Sequence, residues 1–200
     1  MAWSVVIASL PSVIKDIKDI ILKINELAKK SFTQKDALKE QNKKLIDALE
    51  KLKDSMQKIG ISIRDYEGIY TAALQAETAA KALMDVLRTS SPSIWKAALP
   101  SNIDETVRRT FQELKDLDGQ LKKTVDAKKG AIETEDYDKI NSIRSDVQDF
   151  FNRAENHLRG GNNVEAADDV EGILKKLGEI SSVIKARFDV MSNTLIKIVG

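Results

Sequence analysis

The amino-acid sequence predicts an all-α protein: an elongated antiparallel bundle of about five helices, built on one very long second helix. Three observations predict it. Proline occurs three times and glycine nine times in 200 residues, in a chain rich in Lys, Glu, Asp, Leu, Ile and Ala, and scarce breakers among good helix formers are the composition of long helices. Apolar residues recur at alternating steps of four and three, which is heptad spacing. The longest such line runs Leu45, Leu49, Leu52, Met56, Ile59, Ile63, Tyr66, Tyr70, Ala73, Glu77, Ala80, Met84 and Leu87, and only Glu77 breaks its apolar character.

The first helix is expected from about Ser4 to Lys30. Ile7, Leu10, Ile14, Ile17, Ile21 and Ile24 form its seam, and Val6, Val13, Ile20 and Leu27 widen it. A stripe this wide suits a helix with more than one neighbour. Pro11 either kinks the helix or begins its regular part. Thr33, with Asp36 three residues on, can cap the second helix. From about Thr33 to Arg88 that helix would be roughly 80 Å long at 1.5 Å per residue. Gly60 is its weak point, but Ile59 and Ile63 keep the seam in phase, so a continuous or gently bent helix is expected. The small residues from Ala72 to Ala82 allow close approach of neighbours.

Residues 89–101 hold the longest stretch without periodicity. Pro92 and Pro100 bracket Ile94 and Trp95 there, and a single helical turn fits between them. The third helix starts at Ser101 and follows Ile103, Val107, Phe111, Leu114, Leu121 and Val125 to a stop at Lys128, Lys129 and Gly130. The fourth starts at Thr134 and follows Tyr137, Ile140, Val147, Phe150, Phe151, Ala154 and Leu158. Gly160 to Asn163 make the clearest loop. The fifth runs from about Val164 to Val199 on Val170, Leu174, Leu177, Ile184, Phe188, Met191, Leu195 and Ile198, with Ser181 missing from the line. Short connections make the last three helices antiparallel neighbours. The chain reads as one helical-bundle domain, residues 1–200, with a sub-division near 89–101 between the first helix pair and the last three helices.

Chemistry has few handholds. The absence of cysteine removes disulfides and thiolate sites. His157 is the one histidine, beside Leu158 and Arg159 at a helix end, and reads as a surface or capping residue. Glu133, Glu135, Asp136 and Asp138 read as charge at a helix N-terminus, as do Asp168, Asp169 and Glu171. They lack the loop spacing of a calcium hand. The Glu-x-x-His pairs of a di-metal bundle do not occur. No cofactor and no enzyme activity are expected. A net charge of +1 speaks against nucleic acid, and Arg108, Arg109, Lys122 and Lys123 read as a solvated face. Residues 1–130 carry 23 basic and 18 acidic groups, the remainder 9 and 13, an asymmetry that would favour head-to-tail attraction.

No apolar run is long enough to span a membrane, and the first fourteen residues lack the basic segment of a secretory signal. The sequence fixes no compartment, and a cytoplasmic one is favoured. Two tryptophan-bearing apolar stretches remain as contact candidates: Trp3, Val5, Val6, Ile7 and Leu10, and Ile94 with Trp95. The leading functional expectation is a non-enzymatic interaction or scaffold protein that recognises a helical partner or itself through apolar seams. The alternative is a membrane-acting bundle that inserts one of the two tryptophan stretches. In layout alone, with no shared motif, the chain is similar to α-helical pore-forming toxins and cell-death bundles. An enzyme would need an acid–base pair that the sequence does not offer.

Overall fold

A computed structural model describes residues 3–29, 35–89 and 102–199. These form five helices: α1 (Trp3–Lys29), α2 (Lys35–Thr89), α3 (Asn102–Ala127), α4 (Thr134–Arg159) and α5 (Asn163–Val199). There is no strand among the described residues. The protein is an all-α bundle with one very long second helix, as the composition and the heptad spacing predict. Ile94 and Trp95, their bracketing prolines and the Thr33 cap lie outside the described residues, as does nearly all of the expected sub-division at 89–101.

Helix α1 runs through Pro11 without interruption. Pro11 cannot donate to the Ile7 carbonyl, so the ladder loses one bond there. Helix α2 likewise passes through Gly60 unbroken. The turn after α3 places Gly130 at φ 81° and the turn after α4 places Gly161 at φ 71°. Both are left-handed conformations that cost a side chain and that glycine adopts freely.

The chain divides into two compact units. Unit 1 comprises residues 1–64 and 189–200, and unit 2 residues 65–188. Unit 2 packs the second part of α2 with α3, α4 and most of α5. Its helices are antiparallel neighbours where the contacts show it. Phe111 of α3 meets Phe151 of α4 edge to face, with ring centroids 5.9 Å apart. Lys176 of α5 bonds Asp146 of α4 at 2.9 Å, and Arg88 of α2 bonds Glu171 of α5 at 2.7 Å. Leu83, Leu87, Leu114, Leu121, Ile140, Ile173, Leu177 and Ile180 are fully buried at its centre. Gly172 lets α5 approach α4, because a Cβ there would overlap the Phe150 ring.

Burial corrects the seam expected for α2. Its buried line is Ile59, Ser62, Tyr66, Ile69, Ala73, Ala76, Ala80, Leu83 and Leu87. It shares every seventh residue with the expected line, from Ile59 through Tyr66 to Leu87. The alternate row, however, is Ser62, Ile69 and Ala76, one residue before Ile63, Tyr70 and Glu77, and further on Leu83 is buried beside the expected Met84, which is buried too. At Ser62 and Ala76 the physical reason is size, because serine and alanine let a facing backbone come close. A hydrophobicity pattern favours the larger neighbour instead.

Candidate functional site

Among the described residues, three polar clusters of unit 2 join its helices, and each grows from a charged residue standing on a packed helix face. In the first, the buried Asp136 near the start of α4 receives two bonds from Arg187 of α5, Nε to Oδ2 at 2.6 Å and Nη2 to Oδ1 at 2.9 Å. The Tyr66 hydroxyl donates to the same Oδ2 at 2.6 Å and accepts the Glu133 backbone N–H at 3.0 Å. Burial, and then the bond to Asp136, push the Tyr66 phenol well above its usual range. It therefore stays a donor. Phe188 closes over Tyr66 with centroids 6.3 Å apart. Every strong group here is paired, so the cluster ties α2, α4 and α5 together and offers no open reactive atom. Asp136 is thus more than the helix-terminal charge expected of it.

The second cluster lines a cleft of about 400 Å³ between α3 and α4. Asp118 and Arg144 are both buried, at 3% and 7% exposure. Arg144 Nη2 reaches Asp118 Oδ2 at only 3.5 Å, while Gln148 Nε2 donates to the same oxygen at 2.7 Å. Asp118 Oδ1 and Arg144 Nε have no protein partner. Burial raises the Asp118 carboxyl above its ordinary range, against the pull of Arg144, Lys122 and Gln148. The sequence held a signal for this pair. The α3 line steps from Leu114 to Leu121 across Asp118, and the α4 line from Ile140 to Val147 across Arg144. Each charge sits at the position that heptad phase requires to face inward.

The third cluster joins α4 to α5. His157 Nδ1 lies 2.8 Å from Asp169 Oδ2 and Arg153 Nε 3.3 Å from Asp169 Oδ1. The histidine expected at a surface is half-buried against α5. Asp169, expected as terminal charge, is its buried partner. Among the described residues no group of three His, Asp or Glu side chains could hold a metal ion, and no helix is long and apolar enough to cross a membrane.

Unit 1 presents the opposite kind of surface. Of the apolar contact candidates, Trp3, Val6, Ile7 and Leu10 are buried, at 1–6% exposure, while Val5 is 58% exposed. With Ala48, Ile59 and Met191 they are the buried apolar residues described in unit 1. Beyond Leu10, no residue of α1 is buried. Nine of the eleven exposed large apolar side chains belong to this unit, among them Ile21 and Leu22 on α1 and Ile46, Leu49, Met56 and Ile61 on α2. Leu49 and Met56 belong to the row that the sequence assigns to the seam. Compared with protein-family models, curated protein sequences and solved structures, the chain matches none.

Proposed function

We propose that this chain is a non-enzymatic helical interaction protein that recognises another helix, or a second copy of itself, through unit 1. The observation that carries the reading is the row Ile46, Leu49 and Met56 of α2, at 58%, 46% and 52% exposure. Apolar side chains at heptad spacing on a stable helix are what another helix packs against. Isolated exposed leucines are ordinary, but several on one unit, with Ile21 and Leu22 of α1 exposed as well, support reading it as a binding surface. The polar clusters of unit 2 support the reading by being internal ties.

The test is sedimentation velocity over a wide concentration range, together with a titration by an amphipathic helical peptide with an apolar heptad seam and uncharged flanks. Expected is a rise in mass or saturable binding, lost in the Leu49→Gln, Met56→Gln double variant. A constant monomer mass with no peptide binding would overturn the reading. Vesicle flotation with a blue shift of tryptophan emission would replace it with the membrane reading. In that case Trp3, Val6, Ile7 and Leu10 would have to leave their packing in unit 1.

A further inference from the structure

The α1–α2 pair of unit 1 has two different sides. On one, Asp16, Asp19 and Lys23 of α1 face Lys44, Asp47 and Lys51 of α2 across a groove of mixed charge, with Ile20 and Ala48 at its floor. One residue further along an α-helix is about 100° further round. In an antiparallel pair that step carries both helices toward the same opposite side. Ile21 follows Ile20 and Leu49 follows Ala48, so the opposite side is apolar. Ile14 lies seven residues before Ile21, and Met56 seven after Leu49, on the same two rows. Ile21, Leu49 and Met56 are 42%, 46% and 52% exposed.

By the same register, basic residues flank this apolar side. Lys18 stands four residues after Ile14 and three before Ile21. Lys53 stands in the same relation to Leu49 and Met56. Lys15 and Arg64 follow Ile14 and Ile63 directly. All four cations are exposed and form no ion pair among the described residues. Glu50 is the acidic exception on this flank. Unit 1 as a whole carries 14 basic and 9 acidic residues, whereas unit 2 carries 18 and 22.

From these observations we infer that the apolar side of the α1–α2 pair is a docking groove for one amphipathic helix with acidic flanks, contributed by a partner protein. The inference rests on the reading of unit 1 as a helix-recognition surface and specifies its partner. Two arguments select that occupant. The first is continuity. In unit 2 the same row of α2 continues as Tyr70 and Glu77, and there a helix covers it: the Lys185 ammonium of α5 lies 5.7 Å from the Tyr70 ring centroid, and Ser181 Oγ of α5 bonds the Glu77 carboxylate. A helix is what this row takes where it is filled. The second is charge. Lys18 and Lys53 interleave the two apolar rows, so glutamates flanking a partner's seam would lie against them. A second copy fits worse, because two-fold pairing of the Leu49–Met56 row sets Lys53 against its own symmetry mate.

The test uses the full chain and three helical peptides with one apolar seam and glutamate, glutamine or lysine flanks, measured by fluorescence anisotropy at low and high salt. At low salt the acidic peptide is expected to bind about tenfold more tightly than the neutral one, the size a few exposed charge pairs supply. The lysine peptide should bind most weakly, and high salt should shrink the spread. Lys18→Gln with Lys53→Gln should erase most of the acidic preference and leave neutral binding intact. Leu49→Gln with Met56→Gln should weaken all three peptides, and circular dichroism would confirm that the variants fold. Binding without discrimination overturns the acidic partner while leaving helix recognition standing. Absence of binding to every peptide overturns both. Two further results would overturn the inference: a concentration-dependent dimer lost on Leu49→Gln would make a second copy the occupant, and flotation with phosphatidylglycerol vesicles that the acidic peptide fails to compete would make it a lipid surface.

Discussion

Helices α2 and α5 contribute to both units, yet the two units use them differently. In unit 2 four helical segments enclose one another, and α2 buries a residue at every third or fourth position from Tyr66 to Leu87. In unit 1 the same helix, with the same heptad spacing, buries Ala48, Ile59 and Ser62 and leaves Leu49 and Met56 in solvent. The row is the more apolar in unit 1, where Leu45, Leu49, Leu52, Met56, Ile59 and Ile63 follow one another, than in unit 2, where it includes Ala73, Glu77 and Ala80. The units differ too in the number of helices alongside it. Burial thus follows from how many neighbours a helix has, and a heptad row records only that a neighbour would fit.

The largest expected effect tests the dense side of this comparison. Arg144→Met leaves Asp118 buried without its counter-charge and should cost about 3–5 kcal/mol in chemical denaturation. The double variant Asp118→Leu, Arg144→Met replaces two loosely paired charges with apolar groups of similar size. It should be neutral or more stable than the parent, by about 1–4 kcal/mol at most. If both changes cost the same, the cleft charges matter for something other than pairing with each other.

Hydrogen exchange should separate the units next. Residues 11–29 and 35–56 have few buried apolar contacts, so their amides should exchange through local opening. The core amides of α3, α4 and the 163–188 part of α5 should exchange roughly a hundredfold or more slowly, on the order of 3 kcal/mol. Uniform protection along α2 would mean that its outer half is held by more than the contacts described.

Much of the fold was legible and much of its polar interior was not, for reasons visible in single residues. Helix number, length and order followed from breakers, with Gly130 and Gly160–Asn163 marking the turns between the last three helices. The alternate row of the α2 seam lies one residue from the expected one as far as Glu77, because Ser62 and Ala76 carry little hydrophobic signal although both are buried. Asp118 and Arg144 were readable only as gaps in two apolar lines, since nothing in one helix says which charge faces it across a bundle. Asp136 and Asp169 read as helix-terminal charges, and their sequence positions do lie there. Their burial depends on Arg187, Arg153 and His157, which come from other helices. The exposure of Leu49 was equally hidden, because it depends on which helix lies alongside.

Acid should distinguish the carboxylates of unit 2. Burial raises the folded-state pKa of Asp118, so the folded chain holds that proton more tightly than the unfolded chain. Its contribution therefore makes stability fall as pH rises from the unfolded pKa through the folded one. Glu155 runs the other way, its carboxyl held low by bonds from Lys115 and then Arg159. That contribution is present above the ordinary glutamate range and is lost as pH falls. Asp118→Asn should remove the downward slope above the ordinary aspartate range and leave the loss at lower pH, as read from urea midpoints across the range.

Gly60→Ala should stabilise the chain by about 0.5–1 kcal/mol, because helix α2 is unbroken there and an added Cβ meets nothing within 4 Å. A loss instead would show that the glycine serves a bend or a partner's close approach.

The smallest effect bears most directly on what unit 1 is for. Leu49→Gln and Met56→Gln exchange exposed apolar side chains for one of similar helix propensity. If those side chains contribute nothing to the isolated chain, each change should alter the denaturation midpoint by less than about 0.5 kcal/mol. Leu83→Ala on the buried row of the same helix should cost about 2–5 kcal/mol. A large loss at Leu49 would mean that the row already packs against something in solution, and sedimentation would then show a second copy. A negligible loss, together with reduced helix binding, would separate the two roles of one heptad pattern along α2. Its inner rows would hold the fold, while its outer row would be kept apolar for a helix that belongs to another protein.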